Sequence, residues 1–218
     1  MNNILAKYRG KRLPSRIIAM LMGCIMLGFG VAVFWHTAMG ADPYSTLNTG
    51  LSYKMNMSFG KWQAIINIAL LAVVVIFDRS MIGLGTVGNM FLVGFSADFF
   101  FPMLGKIIPP TDEMGFIVRV LITVAAVLIQ LVGCSFYITS DLGMSPYDSI
   151  TYIIPDKIHV HFRWCRIVTD LICVIIGFVC GASVGIGTLL NAFGAGPMLP
   201  ILNKYVAGPI LKAENVRS

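Results

Sequence analysis

Charge is the scarcest commodity in this sequence. Asp, Glu, Lys and Arg make up 12% of its 218 residues, about half the share found in soluble domains. Hydrophobic residues reach 57% and the mean hydropathy is +0.82, which excludes an ordinary soluble domain and points to an all-α integral membrane protein. Acidic residues are fewest, 10 against 16 basic ones, for a net charge of +6. The basic residues sit beside apolar runs and not on a soluble face, so they orient the chain in a bilayer and predict no nucleic-acid partner.

Other absences narrow the chemistry. The five cysteines, Cys24, Cys134, Cys165, Cys173 and Cys180, contain no Cys-x-x-Cys pair and lie in or against apolar runs, where cysteine packs as a small hydrophobe. No zinc site, haem site or disulfide framework is spelled. There is no His-Glu-x-x-His, no Walker loop and no supported Ser-His-Asp order, so the sequence predicts no enzyme, no metal and no cofactor. His159 and His161 lack a third donor and read as a solvated loop. "GLGTVG" at Gly83–Gly88 satisfies a dinucleotide pattern, but no strand precedes it and "GIGTLL" at 185–190 drops the third glycine. Close helix approach at the start of a span explains it better.

What is present is a series of apolar runs. The first follows the basic stretch "KYRGKRLPSR" and continues through "IMLGFGVAVFW", reaching the length of about 20 residues that crosses a bilayer, longer than the core of a cleaved leader. Five more follow: Trp62 to Phe77, Ile82 to Leu104, Gly115 to Ile138, Trp164 to Cys180, and Val184 to about Val206, the last interrupted by Pro197 and Pro200. With the amino terminus inside, only Lys54, Lys61, Lys106 and Arg119 of the 16 basic residues fall outside. The bias predicts six transmembrane helices with both termini cytoplasmic.

The chain also reads as duplicated. "RIIAMLMGCIMLGFG" corresponds to "RVLITVAAVLIQLVG", setting Arg16 against Arg119 and Gly30 against Gly133; Trp62 corresponds to Trp164. "IGLGTVGNMFLVG" corresponds to "VGIGTLLNAFGAG", pairing Gly85 and Thr86 with Gly187 and Thr188. This gives a basic amino-terminal segment (1–15), a first three-helix repeat (16–114), a second (115–206) and a cytoplasmic tail (207–218). Three is odd, so the second repeat enters the membrane from the opposite side, an inverted architecture used by secondary transporters.

Between its first two spans each repeat carries a Gly-x-x-Pro-Tyr motif, "GADPYSTLNTG" and "GMSPYDSITYI". Asp42 and Ser145 are good N-cap residues, and Pro43 and Pro146 then fill the first helical position, where a missing N–H costs nothing. Each motif predicts a short re-entrant or interfacial helix of about three turns, too polar or too brief to span. The candidate substrate or coupling site comprises Asp42, Pro43, Tyr44, Thr46, Gly85, Thr86, Asp141, Ser145, Pro146, Tyr147, Asp148, Gly187 and Thr188. Polar groups near membrane depth add His36, Asp98, Gln130 and Asp170, with Asp170 one turn beyond Arg166 and paired with it near the cytoplasmic boundary.

The stretches "GADPYSTLNTGLS", "SDLGMSPYDSITYII", "GLGTVGNMFLVG" and "GIGTLLNAFGAG" resemble the YczE/YyaS/YitT group of small bacterial multipass membrane proteins, over Arg16 to about Val206. The "DLGMSPYD" stretch is the most specific; the first copy departs from it with Ala38 and Met39 in place of Asp141 and Leu142. The resemblance implies a protein of the bacterial inner (cytoplasmic) membrane and carries over no catalytic residues. The repeats themselves predict a secondary transporter or exporter of a small polar solute. The alternative is a non-transporting factor in membrane assembly, secretion or regulation, working through small-residue faces that also suit a homo-oligomer or a membrane partner.

Overall fold

The computed structural model describes residues 13–158 and 162–211, and among these there is no strand. The basic residues at 7, 9, 11, 12, 212 and 217 and the pair His159 and His161 lie outside the described residues. Eight helices carry the fold: α1 Leu13–Thr37, α2 Pro43–Lys54, α3 Phe59–Phe77, α4 Leu84–Leu104, α5 Phe116–Thr139, α6 Pro146–Ile158, α7 Phe162–Val179 and α8 Ile186–Leu202. A π-helical turn, Asn89–Val93, interrupts α4, and another, Asn203–Ala207, extends α8 into Gly208–Leu211.

Four helices, α1, α3, α4 and α5, are long and apolar enough to cross a membrane. The sequence places two more spans on α7 and α8. At 18 residues α7 holds Arg163, Arg166 and Asp170, and the apolar run of α8, Ile186–Ala195, is shorter. Large apolar side chains such as Ile18, Ile68, Phe99 and Leu121 face outward, while Thr37, Asn48, Gln63, Asn67, Thr123 and Gln130 are buried. A lipid solvent favours this distribution, because polar groups then find partners only inside the protein.

The centre of the fold is the antiparallel pair α1 and α5, the most extensive helix contact among the described residues. Glycines let the backbones touch: a Cβ at Gly23 would lie 2.5 Å from the Gly133 carbonyl and 2.8 Å from the Tyr137 nitrogen, and one at Gly133 would meet Gly23 in return. The pair is closed at each end by an arginine from the partner helix. Arg16 donates through Nε to the Ser140 carbonyl at 2.7 Å and through Nη2 to that of Asp141 at 2.9 Å. Arg119 donates to the carbonyls of Thr37 at 2.8 Å and Ala38 at 3.5 Å. The last carbonyls of a helix lack intrahelical donors and carry partial negative charge, so a guanidinium there satisfies both needs.

Each helix ends in a reversal that the arginine holds. Ala38 and Asp141 take φ of +51° and +50°, followed by Gly40 at +86° and Gly143 at +119°. Aspartate and glycine tolerate this region; for Ala38 it costs about 1–2 kcal/mol. Beyond the reversals the short helices cross over: α2 packs chiefly on α7, and α6 on α3.

Gly23→Ala is expected to lower stability by about 1–3 kcal/mol through overpacking. Gly194→Ala, where a new Cβ has nothing within 4 Å, serves as the comparison. Thermal unfolding of the detergent-solubilised protein reads the difference, and equal Tm values for the two variants would refute the close crossing.

Candidate functional site at the paired tyrosines

The sequence dictates how each short helix begins. Asp42 is extended and accepts the Ser45 N–H through Oδ1 at 3.0 Å, with Pro43 opening α2. Ser145 accepts the Asp148 N–H at 3.0 Å and donates its hydroxyl to Asp148 Oδ2 at 2.7 Å, with Pro146 opening α6. The two caps are the same device with its acid moved: Asp then Ser in the first, Ser then Asp in the second. Carboxylates at both tips suit the positive ends of the helix dipoles.

The tips meet. Tyr44 and Tyr147 stack with ring centroids 4.4 Å apart and planes 15° from parallel, a contact worth about 0.5–1.5 kcal/mol beyond its buried area. Each hydroxyl is held by the middle helix of its own half: Tyr44 donates to Asn67 Oδ1 on α3 at 2.7 Å, and Tyr147 to Asp170 Oδ1 on α7 at 2.6 Å. Asp42 Oδ2 accepts from Gln130 Nε2 at 3.2 Å. Gln130 lies near the middle of α5 and packs against Gly30, seven residues before the end of α1, or about 10 Å along the helix. The chain therefore doubles back from Thr37 toward the middle of the α1–α5 pair before α2 starts, and α2 is re-entrant with respect to that pair.

On the second-half side Arg166 ties three residues together. Its Nη1 lies 2.9 Å from Asp148 Oδ1 and its Nε 3.1 Å from Asp170 Oδ2. Its guanidinium carbon is 5.2 Å from the Tyr147 ring centroid, within cation–π range. The Arg166–Asp170 pair expected from the sequence is present, and it extends through Asp148 and Tyr147 into the centre of the site.

The paired glycine turns lock the halves across each other. The Gly85 N–H donates to the Leu142 carbonyl at 2.9 Å, and the Gly187 N–H to the Met39 carbonyl at 2.8 Å. A Cβ on Gly143 would lie 2.6 Å from the Gly83 nitrogen, and one on Gly40 would be 2.5 Å from the Gly185 nitrogen. Thr86 caps its own turn by accepting the Gly83 N–H at 3.0 Å; Thr188 does so for Gly185 at 3.5 Å. Only glycine lets backbone meet backbone in this way while holding a positive φ at the receiving turn.

Of the residues singled out by sequence, Asp42, Pro43, Tyr44, Ser145, Pro146, Tyr147 and Asp148 are gathered at the stacked tips. Thr46 is spent within α2, donating to the Asp42 carbonyl at 2.9 Å. Gly85, Thr86, Gly187 and Thr188 form the two crossed turns. Asp141 sits in the α5 reversal with its side chain 55% exposed, 3.8 Å from Arg16, apart from the tyrosines. His36 contacts the carbonyls of Ile108 and Pro109 at 3.1 and 3.0 Å, and Asp98 accepts the Gly60 N–H at the start of α3.

Sequence reasoning overlooked Asn67, Gln63 and Asn48. The signal was available: Tyr44 to Asn67 and Tyr147 to Asp170 are both separated by 23 residues. Matching Trp62 to Trp164 shifts the register by one there and sets Asn67 against Thr169. The tyrosine bonds set Asn67 on α3 in the place of Asp170 on α7, and the same spacing sets Gln63 against Arg166. One half presents amides where the other presents charges.

Asp42→Ala and Ser145→Ala are each expected to cost about 0.5–2 kcal/mol, measured by thermal or denaturant unfolding in detergent. Unchanged stability in both would show that the caps carry no weight.

Three curated relatives align along most of the chain. An uncharacterized membrane protein, YczE of Bacillus subtilis, is 28% identical over 178 residues, covering 81% of this chain and 80% of its own. An uncharacterized protein of Haemophilus influenzae is 25% identical over 192 residues, covering 88% and 84% respectively. YyaS of Bacillus subtilis is 25% identical over 190 residues, covering 85% and 90%. No solved structure matches the chain. A family of unknown function matches residues 14–204, the segment that holds α1 to α8 and the tyrosine pair, and the chain, a membrane protein, thus belongs to that family, DUF6198.

Proposed function

We propose that the protein is a secondary transporter or exporter of a small polar solute, built as two inverted three-helix repeats, 16–114 and 115–206, in the bacterial inner membrane with both termini cytoplasmic. The observation that carries this reading is the crossed seating of the turns, Gly85 on Leu142 and Gly187 on Met39. A protein whose halves enter the bilayer from opposite sides has two such seats, one near each surface. Loosening one while keeping the other opens the centre to one side; exchanging them opens it to the other, which is alternating access. The stacked tyrosines lie between the seats and close the centre.

Other features support the same reading. Six spans require α7 and α8 to cross, and the charged side of α7 is then turned toward α6 and the tyrosines, where Arg166 pairs with both Asp148 and Asp170. Polar groups inside a membrane default to function because they are costly to keep there. A cavity of about 30 Å³ lined by Trp35, Gly40, Thr46, Thr49, Tyr53 and Ser183 lies beside the Gly187–Met39 seat and is large enough for a water molecule.

Reporter fusions are expected to place residues 40–57 outside and 143–157 in the cytoplasm; both on one side would end the inverted reading. Purified protein in liposomes is expected to give saturable flux of a member of a polar-solute panel, and no flux across the panel would favour an assembly, secretion or regulatory role. Gly85→Leu and Gly187→Leu should each unseat one turn. Single cysteines near Tyr44 and Tyr147, in a cysteine-free background, are then expected to label from opposite sides in the two variants. Labelling identical to the parent in both would reduce the glycines to packing positions.

A further inference from the structure

The two halves of the tyrosine site differ in a way that names a class of solute, an inference that rests on the transporter reading above. Three carboxylates, Asp42, Asp148 and Asp170, lie within electrostatic reach of the tyrosine pair, with Arg166 as the cation among them. In the second half that cation is built in. Arg166 bridges Asp148 and Asp170 and sits over the Tyr147 ring.

The first half repeats the same parts without the cation. Tyr44 stands for Tyr147 and Asn67 for Asp170, the sequence spacing sets Gln63 against Arg166, and the carboxylate at the helix tip is Asp42. Gln130 and the Ser45 amide donate to Asp42, but among the described side chains no cation pairs with it. Asp42 is half-buried, and a partly desolvated carboxylate held by neutral donors alone favours a nearby positive charge.

A second observation points to the same place. Asn48 and Asn67 are both 0% exposed, and Asn48 Oδ1 and Asn67 Nδ2 lack any hydrogen-bond partner. Both residues flank Tyr44: Asn67 accepts its hydroxyl, and Asn48 donates to its carbonyl while its amide also lies against that hydroxyl. Buried polar atoms left unpaired are costly and rare. An unpaired acceptor, an unpaired donor and an uncompensated carboxylate around one aromatic ring describe the complement of a ligand.

We infer that the first half of the site takes a small organic cation bearing N–H donors, an ammonium or a guanidinium, which stands to Asp42 and Tyr44 as Arg166 stands to Asp148 and Tyr147. Its N–H groups meet Asp42 and Asn48 Oδ1. Asn67 Nδ2 meets an acceptor elsewhere on the solute, such as the carboxylate of an amino acid or the hydroxyl of an amino alcohol. The tyrosine face adds a cation–π contact.

The test is binding to the purified full-length chain in detergent, read by thermal shift and titration calorimetry with ethylammonium, guanidinium, glycine, acetate and glycerol. The ammonium compounds and guanidinium are expected to raise Tm saturably, and acetate and glycerol to leave it unchanged. Asp42→Asn keeps the cap, since Asn caps as well as Asp, and is expected to weaken cation binding ~10-fold or more with the ligand-free Tm near that of the parent. Equal shifts with acetate, equal affinity in Asp42→Asn, or no saturable cation binding would overturn the inference; the last would leave the proton as the balancing charge. Cation binding without flux in liposomes would uphold this site and overturn the transporter reading, whereas flux of a neutral solute without cation binding would do the reverse.

Discussion

Everything else in the molecule is arranged around the close antiparallel contact of α1 and α5. At Gly23 and Gly133 the two backbones touch, and the reach of Arg16 and Arg119 to the far ends of the opposite helices fixes their register. Because each arginine binds the carbonyls of a reversal, the same contact sets where the chain turns back. A shift of one helix along the other would strip the arginines from those carbonyls and expose unpaired backbone in an apolar surrounding, where each such group costs several kcal/mol.

The reversals have a second effect. By sending the chain back along the pair, they bring the amino-terminal tips of α2 and α6 together, and the tyrosines two residues past each cap stack. Helix α2 tolerates this buried position although it is polar, since its side chains bond within the helix or to α1: Thr46 to the Asp42 carbonyl, Asn48 to that of Tyr44, Ser52 to that of Thr49, and Thr49 to the Trp35 indole. Crossed glycine turns then fasten each half to the other. Contacts between residues 16–114 and 115–206 thus run along α1 and α5, through the packing of α2 on α7 and α6 on α3, and through two small backbone seats.

Against that near symmetry the charges are unequal. The α3 pair Gln63 and Asn67 is neutral, while the α7 pair Arg166 and Asp170 is ionised and bound to Asp148. The departure lies around the tyrosine pair, where Tyr44 bonds to an amide and Tyr147 to a carboxylate.

Much of this was legible in the sequence, and for a physical reason: apolar runs, glycine pairs, caps and prolines act locally. Asp-Pro and Ser-Pro steps favour a helix start and runs such as "RIIAMLMGCIMLGFG" favour long helices in an apolar setting, so the helices and their starts at Pro43 and Pro146 could be read directly, as could the correspondence of Gly85 and Gly187, which make like contacts. What tertiary structure alone decided is which of these parts touch. That Gly85 seats on the turn after α5, that Arg16 and Arg119 close each other's helices, and that Tyr44 meets Tyr147 with Asn67 and Asp170 behind them depend on helix packing across 81 to 125 residues of chain in the case of the arginines. Asn67 went unread because uncharged amides such as Gln63 and Asn67 mark a helix less than the charges of Arg166 and Asp170, although the shared 23-residue spacing pointed to it. Its role follows from the ring that its neighbour places beside it, and only the folded chain puts that ring there.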